Sequence, residues 1–432
     1  MHRLRKWGVW LMAVSCLSLL TGCFDRQELE QLAFVTGVGL DKAPHGLIDV
    51  TLQIAAPEGN DEGGGGGSGK EQGKGTQPVT FRVHSIPEAL SLANTSIERT
   101  VTLSHLSIVI FGESLAKEGL KKTLEPMVRF REFRRTLFVA VAKGEAKDIF
   151  ANDNLMLERS TARLADNLFV MGNRNGLFPS KQLQDFLVAV ENPHEDPLLP
   201  VFAVNQAVAQ TSGGEAASGQ NDSGGGQGDS AGGSITKTTV DFTAGQVARA
   251  GGNPVEWIGG ALFRGDKLVG YLSGREMLYL RILDGSLHSA KVDFADPLHP
   301  QQTIGLFLRK ERSPSEQLVL TNPPRVRFLV PLDADLTTAV EPSAERSLAS
   351  QEIEQSLDKT MANEMAALLK KLYHQYGVDP IPLSRRLRTH FLTHQAVVQY
   401  PWRERMRKAH FQVRVDLNIR RFGIQAMPRQ TK

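Results

Sequence analysis

From Leu47 to Ile54 apolar and polar residues alternate, with Ile48, Val50, Leu52 and Ile54 on one face and Asp49, Thr51 and Gln53 on the other. That period predicts a half-buried strand. A second strand is expected at Val79–Val83, and a helix over Ile86–Glu98 with Pro87 in its first turn. His105–Phe111 is almost continuously apolar past Ser107, as in a strand covered on both faces. The pattern turns helical over Ser114–Phe133, strand-like over Leu137–Ala142, and helical again near Arg159–Met171 and Lys181–Val190. Further strands fall near Trp257–Phe263 and Lys267–Tyr271, joined by Arg264-Gly265-Asp266, a pairing suited to a hairpin; a short helix follows from Arg275.

Two late strands have one apolar face each. Val326, Phe328, Val330 and Leu332 line one; Phe411, Val413, Val415, Leu417 and Ile419 line the other, against Arg414, Asp416, Asn418 and Arg420. These read as antiparallel strands with one wet face. Between them Ile353, Leu357, Met361, Met365, Leu368 and Leu372 recur three to five residues apart, which predicts a long amphipathic helix over 345–373 lying on that sheet. Methionines so spaced are core and not a metal site. The fold class is α+β, with two to three mixed domains and largely antiparallel sheets.

Low-complexity tracts divide the chain. Gly59–Gly75, containing Gly63-Gly64-Gly65-Gly66-Gly67, is a hairpin tip, because no strand-to-helix transition or Gly-Lys-Ser/Thr follows to make it a phosphate loop. Thr211–Ser234 is too polar to offset its ordering entropy by burial. The expected layout is a leader at 1–22, an N-terminal α+β domain at 24–209 with a Gly-rich loop at 59–77, and a linker at 210–236. A middle domain at 237–300 and a C-terminal α+β domain at 301–432 complete it.

The leader changes the reading of charge. His2-Arg3-Leu4-Arg5-Lys6 precedes an uncharged stretch from Trp7 to Leu20, then Leu20-Thr21-Gly22-Cys23, the order of a signal peptide. The apolar stretch is 14 residues long, short of the roughly 20 a spanning helix needs. Losing Arg3, Arg5 and Lys6 takes the formal charge from +3 to zero, which removes the electrostatic footprint of a nucleic-acid binder. Cys16 leaves with the leader, so Cys23 is the sole remaining cysteine; disulfides and thiolate metal sites are excluded. Leu20, Thr21, Gly22 and Cys23 resemble a lipobox, with Cys23 carrying an S-diacylglyceryl group and N-acylation as a further option. Two acyl chains give stable anchoring where one is marginal.

Candidate chemistry is sparse. His390 and His394 stand four apart on an expected helix, but the run is His-Phe-Leu-Thr-His, without the base a metallopeptidase needs. The carboxylate pairs Asp25 with Glu28 and Asp333 with Asp335 neighbour no His and read as solvated surface. No Gly-x-Ser-x-Gly elbow or free Cys nucleophile occurs. No metal, cofactor or nucleic-acid partner is expected. Two basic clusters, Arg129-Arg131-Arg134-Arg135 and Arg403-Arg405-Arg407-Lys408, suit a solvated face paired with Glu125, Glu132 and Glu404, or an anionic surface. Reversing Arg403, Arg405 and Arg407 to Glu is expected to weaken complex recovery without unfolding the chain.

Several runs resemble the Ger(x)C family, the lipoprotein C subunits of GerA-type spore germinant receptors. Gly22-Cys23-Phe24-Asp25-Arg26-Gln27-Glu28-Leu29 is similar to the family's Gly-Cys-Trp-Asp-Arg-x-Glu-Leu start, with Phe24 for Trp, and Val38-Gly39-Leu40-Asp41-Lys42 to its Gly-Ile-Asp-Lys strand end. Leu103-Ser104-His105-Leu106 and Phe111-Gly112-Glu113-Ser114-Leu115-Ala116 with Gly119 resemble a Ser-His run followed by Gly-Glu-x-x-Ala-x-x-Gly. Ala261–Gly270 resembles a Phe-x-x-Asp-Lys-Leu-Val-Gly hairpin, and Arg420-Arg421-Phe422-Gly423 the final strand. The resemblance implies a non-catalytic, lipid-anchored subunit on the outer surface of the spore inner membrane, with A and B membrane subunits as partners. It also makes Asp25, Arg26, Glu28 and Leu29 an interface motif. The alternative, a solute-binding lipoprotein of a transporter, requires two parallel βαβ lobes about a hinge, which the strand patterns do not suggest.

Overall fold

The computed structural model describes residues 28–55, 78–130, 132–153, 161–212, 241–297, 302–337 and 346–421, with Trp7 and Trp10. Leu20, Thr21, Gly22, Cys23, Asp25, Arg26, the 59–77 tract and residues 213–236 of the linker lie outside the described residues.

Among the described residues, fourteen strands make two sheets. The first holds β1 (Leu32–Lys42), β2 (Ile48–Ile54), β3 (Pro78–Val83), β4 (Thr100–Thr102), β5 (Ile108–Phe111), β6 (Phe138–Ala142), β7 (Leu198–Val204), β8 (Val255–Arg264) and β9 (Lys267–Leu272). Their order is β3-β2-β1-β5-β6-β7-β8-β9, with β4 beside the start of β1. The second holds β10 (Ser289–Ala295), β11 (Thr303–Lys310), β12 (Ser315–Val319), β13 (Arg325–Leu336) and β14 (His410–Arg421). The fold is α+β with mixed sheets.

The centre of the first sheet is parallel, β1 to β5 to β6 to β7, and antiparallel strands flank it. Parallel strands need both faces covered, and all four residues of β5 are buried, as are all five of β6. Burial extends to β2, whose expected wet face is dry: Asp49, Thr51 and Gln53 are buried with their apolar neighbours. The helix Ala146–Asn152 packs over β1, β2 and β3. Two of the polar residues there are paired: Arg82 grips Asp49 with two bonds of 2.7 and 2.9 Å, and the Thr51 and Thr80 hydroxyls lie 2.8 Å apart.

The helical stretch expected at 114–133 is two helices, Glu113–Glu118 and Lys121–Arg129, separated at Gly119, whose φ is +126°. The described residues of 237–300, expected as a middle domain, divide their strands between the two sheets. β8 and β9 extend the first sheet from β7 by antiparallel pairing, while β10 pairs with β11 in the second.

β13 and β14 pair in parallel and not antiparallel as their patterns suggested. The helix Arg346–Lys370, continued by a π-turn at Lys371–Tyr376, supplies the long crossover that parallel neighbours need. Its stripe holds as core: Ile353, Leu357, Met361, Met365, Leu368 and Leu372 are all buried, each contributing about 1.5–3 kcal/mol by leaving water. From the helix flank, the carboxylates of Asp358 and Glu354 accept the Leu417 and Ile419 N–H groups at 2.9 and 2.8 Å. These are edge donors that the sheet itself leaves open.

Candidate interaction site where the two sheets meet

The halves are joined around a short acidic run, His194-Glu195-Asp196, between the helix Leu183–Glu191 and β7. Pro197 follows it and Pro380 follows Asp379, which keeps both acids out of helix, and the Asp196 N–H donates to the Asp379 carbonyl at 3.3 Å. The Asp196 side chain is fully buried. Its carboxylate accepts from the Gly265 N–H of the β8–β9 turn at 2.8 Å, from the Asp379 N–H at 2.9 Å, and from both ends of the Arg403 guanidinium, Nη2 at 2.9 Å. One carboxylate thus ties the first sheet, its last hairpin and two segments of the C-terminal half.

Asp379 repeats the logic one step away. It accepts from the Tyr373 hydroxyl and from the Leu383 and Ser384 N–H groups at 3.0 and 2.8 Å, and burial pushes its carboxyl up against those donors. Burial beside this carboxylate also holds the Tyr373 phenol well above its ordinary value. Glu195 meets Arg385 through two bonds of 2.8 Å, and that pairing raises the guanidinium further. Arg264 donates to the Tyr376 carbonyl, and the His194 ring meets the Val397 carbonyl at 2.8 Å.

Beside this joint lies a cleft of about 170 Å³, with Phe186, Val188, Pro197, Pro380 and Pro382 as its apolar lining and Lys181, Asp185, Glu195 and Arg385 among its charged groups. Asp185 is spent on the Gln182 N–H at 3.0 Å and Glu195 on Arg385.

Motif residues far apart in the chain converge nearby. Leu40 of β1 pairs with Phe111 of β5, which sets Asp41 beside Gly112. Asp41 accepts from the Ala146 and Lys147 N–H groups at 2.7 and 2.9 Å, anchoring the start of the helix over β2. A Cβ on Gly112 would stand 1.9 Å from Asp41 Oδ1, so only glycine leaves that carboxylate its place. Lys42 pairs with Glu118 at 2.7 Å, and Asp266 of the hairpin turn accepts the Lys121 N–H at 2.9 Å. His105 meets Phe34 edge-on at 4.4 Å.

The other candidates separate. His390 follows the 3₁₀ helix Leu383–Thr389 and His394 opens the helix His394–Gln399, capped by Thr393, so no one helix carries both. Among the described residues no group of three or more His, Cys, Asp or Glu could hold a metal ion. Asp333 and Asp335 pair with Arg420 and Arg309. Arg129 pairs with Glu125 at 2.8 Å, Arg135 donates to Gln184 at 3.2 Å, and Arg131 is outside the described residues. Arg403 is no docking cation, since Asp196 takes it inside the joint; Arg405 lies over the Tyr400 ring. Glu28 precedes, and Leu29 opens, an exposed 3₁₀ turn, Leu29–Gln31.

Fold and joint define a two-sheet α+β body whose motif residues gather where its halves touch. The family model described as "Spore germination protein N-terminal domain" matches residues 25–204, and "Spore germination B3/ GerAC like, C-terminal" matches residues 258–423. Relatives come from Bacillus subtilis (strain 168). Putative spore germination protein YfkR is 31% identical over 194 residues, 44% of this chain and 47% of that protein, so the chain spans about half of it. Spore germination protein B3 is 23% identical over 94% of this chain and 96% of its own length. Spore germination protein KC is 35% identical over 32% of this chain and 34% of its own. A crystal structure of the GerBC protein shares the fold, with a TM-score of 0.51 at 16% identity over 91% of this chain and 99% of that one.

The chain belongs to the Ger(x)C family of germinant-receptor C subunits, which is not a known enzyme family. No helix among the described residues is long and apolar enough to cross a membrane.

Proposed function

We propose that this chain is the lipid-anchored, non-catalytic C subunit of a spore germinant receptor, held through Cys23 on the outer surface of the spore inner membrane. It serves nutrient-triggered germination by touching the A and B membrane subunits. The observation that carries this reading is the entry into the fold. Leu29, 72% exposed, stands in the turn that leads directly into β1, a central strand of the first sheet. Eight residues lie between Cys23 and Leu32, and the nine steps reach at most about 32 Å. A short tether on a central strand holds the whole body close to the bilayer. Asp25, Arg26, Glu28 and Leu29 on that tether form the nearest contact surface for membrane subunits. The transporter alternative is not favoured, because the parallel strands form the middle of one sheet and not two lobes about a hinge.

Cys23→Ala is expected to leave the fold intact, as judged by circular dichroism, while abolishing retention in spore inner membranes and slowing germination on nutrient. Mass spectrometry of the purified chain showing an unmodified Cys23, or full germination by the variant, would sink the reading.

A further inference from the structure

On the outer face of the second sheet, β12 pairs antiparallel and β14 parallel with β13, without a register shift over residues 325–329. The three strands there present a grid of nine side chains, all exposed. Arg325, Arg327 and Leu329 form the middle row; Arg414 stands opposite Leu329 and Val319 opposite Arg325. The other four positions are Ser, Gln, Gln and His, so the grid holds three arginines and no carboxylate. Strand spacing and the two-residue repeat make it a plane of roughly 14 by 10 Å.

Farther along the same face arginines are neutralised: Arg309 by Asp335, and Arg420 by Asp333 at 2.8 Å. Within the grid none of the three guanidinium groups forms a salt bridge or side-chain hydrogen bond among the described residues. Between them Leu329 and Val319 stay 44% and 41% exposed. Guanidinium groups without direct ion pairs, interleaved with exposed aliphatic side chains on a flat plane, complement a surface that is anionic, extended and apolar just beneath; Asp358 at the helix edge reaches Arg414 only through space, and Asp416 borders the grid.

We propose that this face docks flat on anionic lipid headgroups, Arg325, Arg327 and Arg414 meeting phosphates while Leu329 and Val319 enter the headgroup layer. The proposal rests on the anchored reading above, which places a bilayer within reach; it adds an orientation to a tether that by itself leaves the body free to turn.

The test uses the full-length lipidated protein on vesicles, with Leu329→Cys carrying an environment-sensitive fluorophore. On phosphatidylglycerol vesicles the label is expected to be shielded from an aqueous quencher, and exposed on phosphatidylcholine vesicles. An arginine near an anionic surface contributes roughly fivefold to partitioning, so adding R325Q, R327Q and R414Q should lower the docked-to-undocked ratio about a hundredfold. The triple variant is checked for folding by circular dichroism, since all three sites are exposed. Equal quenching on both lipids would overturn the proposal, as would shielding that requires co-reconstituted membrane subunits, which would assign the face to a protein. Flotation with phosphatidylglycerol but not phosphatidylcholine vesicles would remove the lipid anchor and leave the sheet face as the docking element. Flotation with neither would end both.

Discussion

Asp196 is the residue on which most of the joint converges. Its side chain is fully buried, and its donors come from the β8–β9 turn, from Asp379 and from Arg403. Removing one partner of such a pair leaves the others desolvated and unmatched. Asp196→Ala is expected to destabilise the chain by about 3–5 kcal/mol, measured by urea denaturation; a loss below about 1 kcal/mol would fit a surface pair instead. Arg403→Glu should be worse than Arg403→Met, because it sets a second carboxylate against Asp196. That replaces the expectation that reversing this cluster spares the fold. Nothing local in the sequence singles out Asp196 or Arg403, which stand 207 residues apart. The only trace is that Asp196 and Asp379 each precede a proline.

At the scale of elements, the long helix and β14 show what sequence pattern carries. The six-residue apolar stripe of the helix and the alternating faces of β13 and β14 were legible, because burial writes them into residue type at fixed periods. Pairing direction was not, since a strand with one buried face alternates identically beside a parallel or an antiparallel neighbour. The second dry face of β2 was hidden because its buried positions keep polar residues, Asp49 and Thr51 paired with Arg82 and Thr80, and are not replaced by apolar ones. A pH effect belongs to the helix edge. Burial pushes the Asp358 carboxyl up to about 6, and burial does the same to Asp153. Both values lie above the unfolded carboxylate range, so between about pH 4 and pH 6 the folded chain binds more protons than the unfolded one. The stability these two groups contribute therefore falls as pH rises through that window. Asp358→Asn keeps an acceptor for the Leu417 N–H and removes one titration. Denaturation midpoints measured across the window should show a shallower decline than the parent; an unchanged slope would place the dependence elsewhere.

At the scale of the whole molecule, the described residues form three apolar clusters, one of which runs from Leu198, Leu262 and Leu272 of the first sheet into the second beside the polar joint. Trp257 lies on β8 of the first sheet and Trp402 is buried in the core of the second, so in protein produced from residue 23 onward each half carries its own fluorophore. With the joint intact the two halves should unfold together. In Arg403→Met, the transition of Trp257→Phe protein, which reports Trp402, should precede that of Trp402→Phe protein, which reports Trp257; coincident transitions would mean that other contacts couple the cores. The order of strands has a further consequence for biogenesis. β7 gains its outer neighbour only from β8, which begins at Val255, 51 residues after β7 ends at Val204. A chain made from its N-terminus therefore presents its parallel strands with β7 as a raw edge until that length has followed. Exposed edges of this kind recruit foreign strands, so folding of this protein must outpace mispairing, or a holdase must guard the interval.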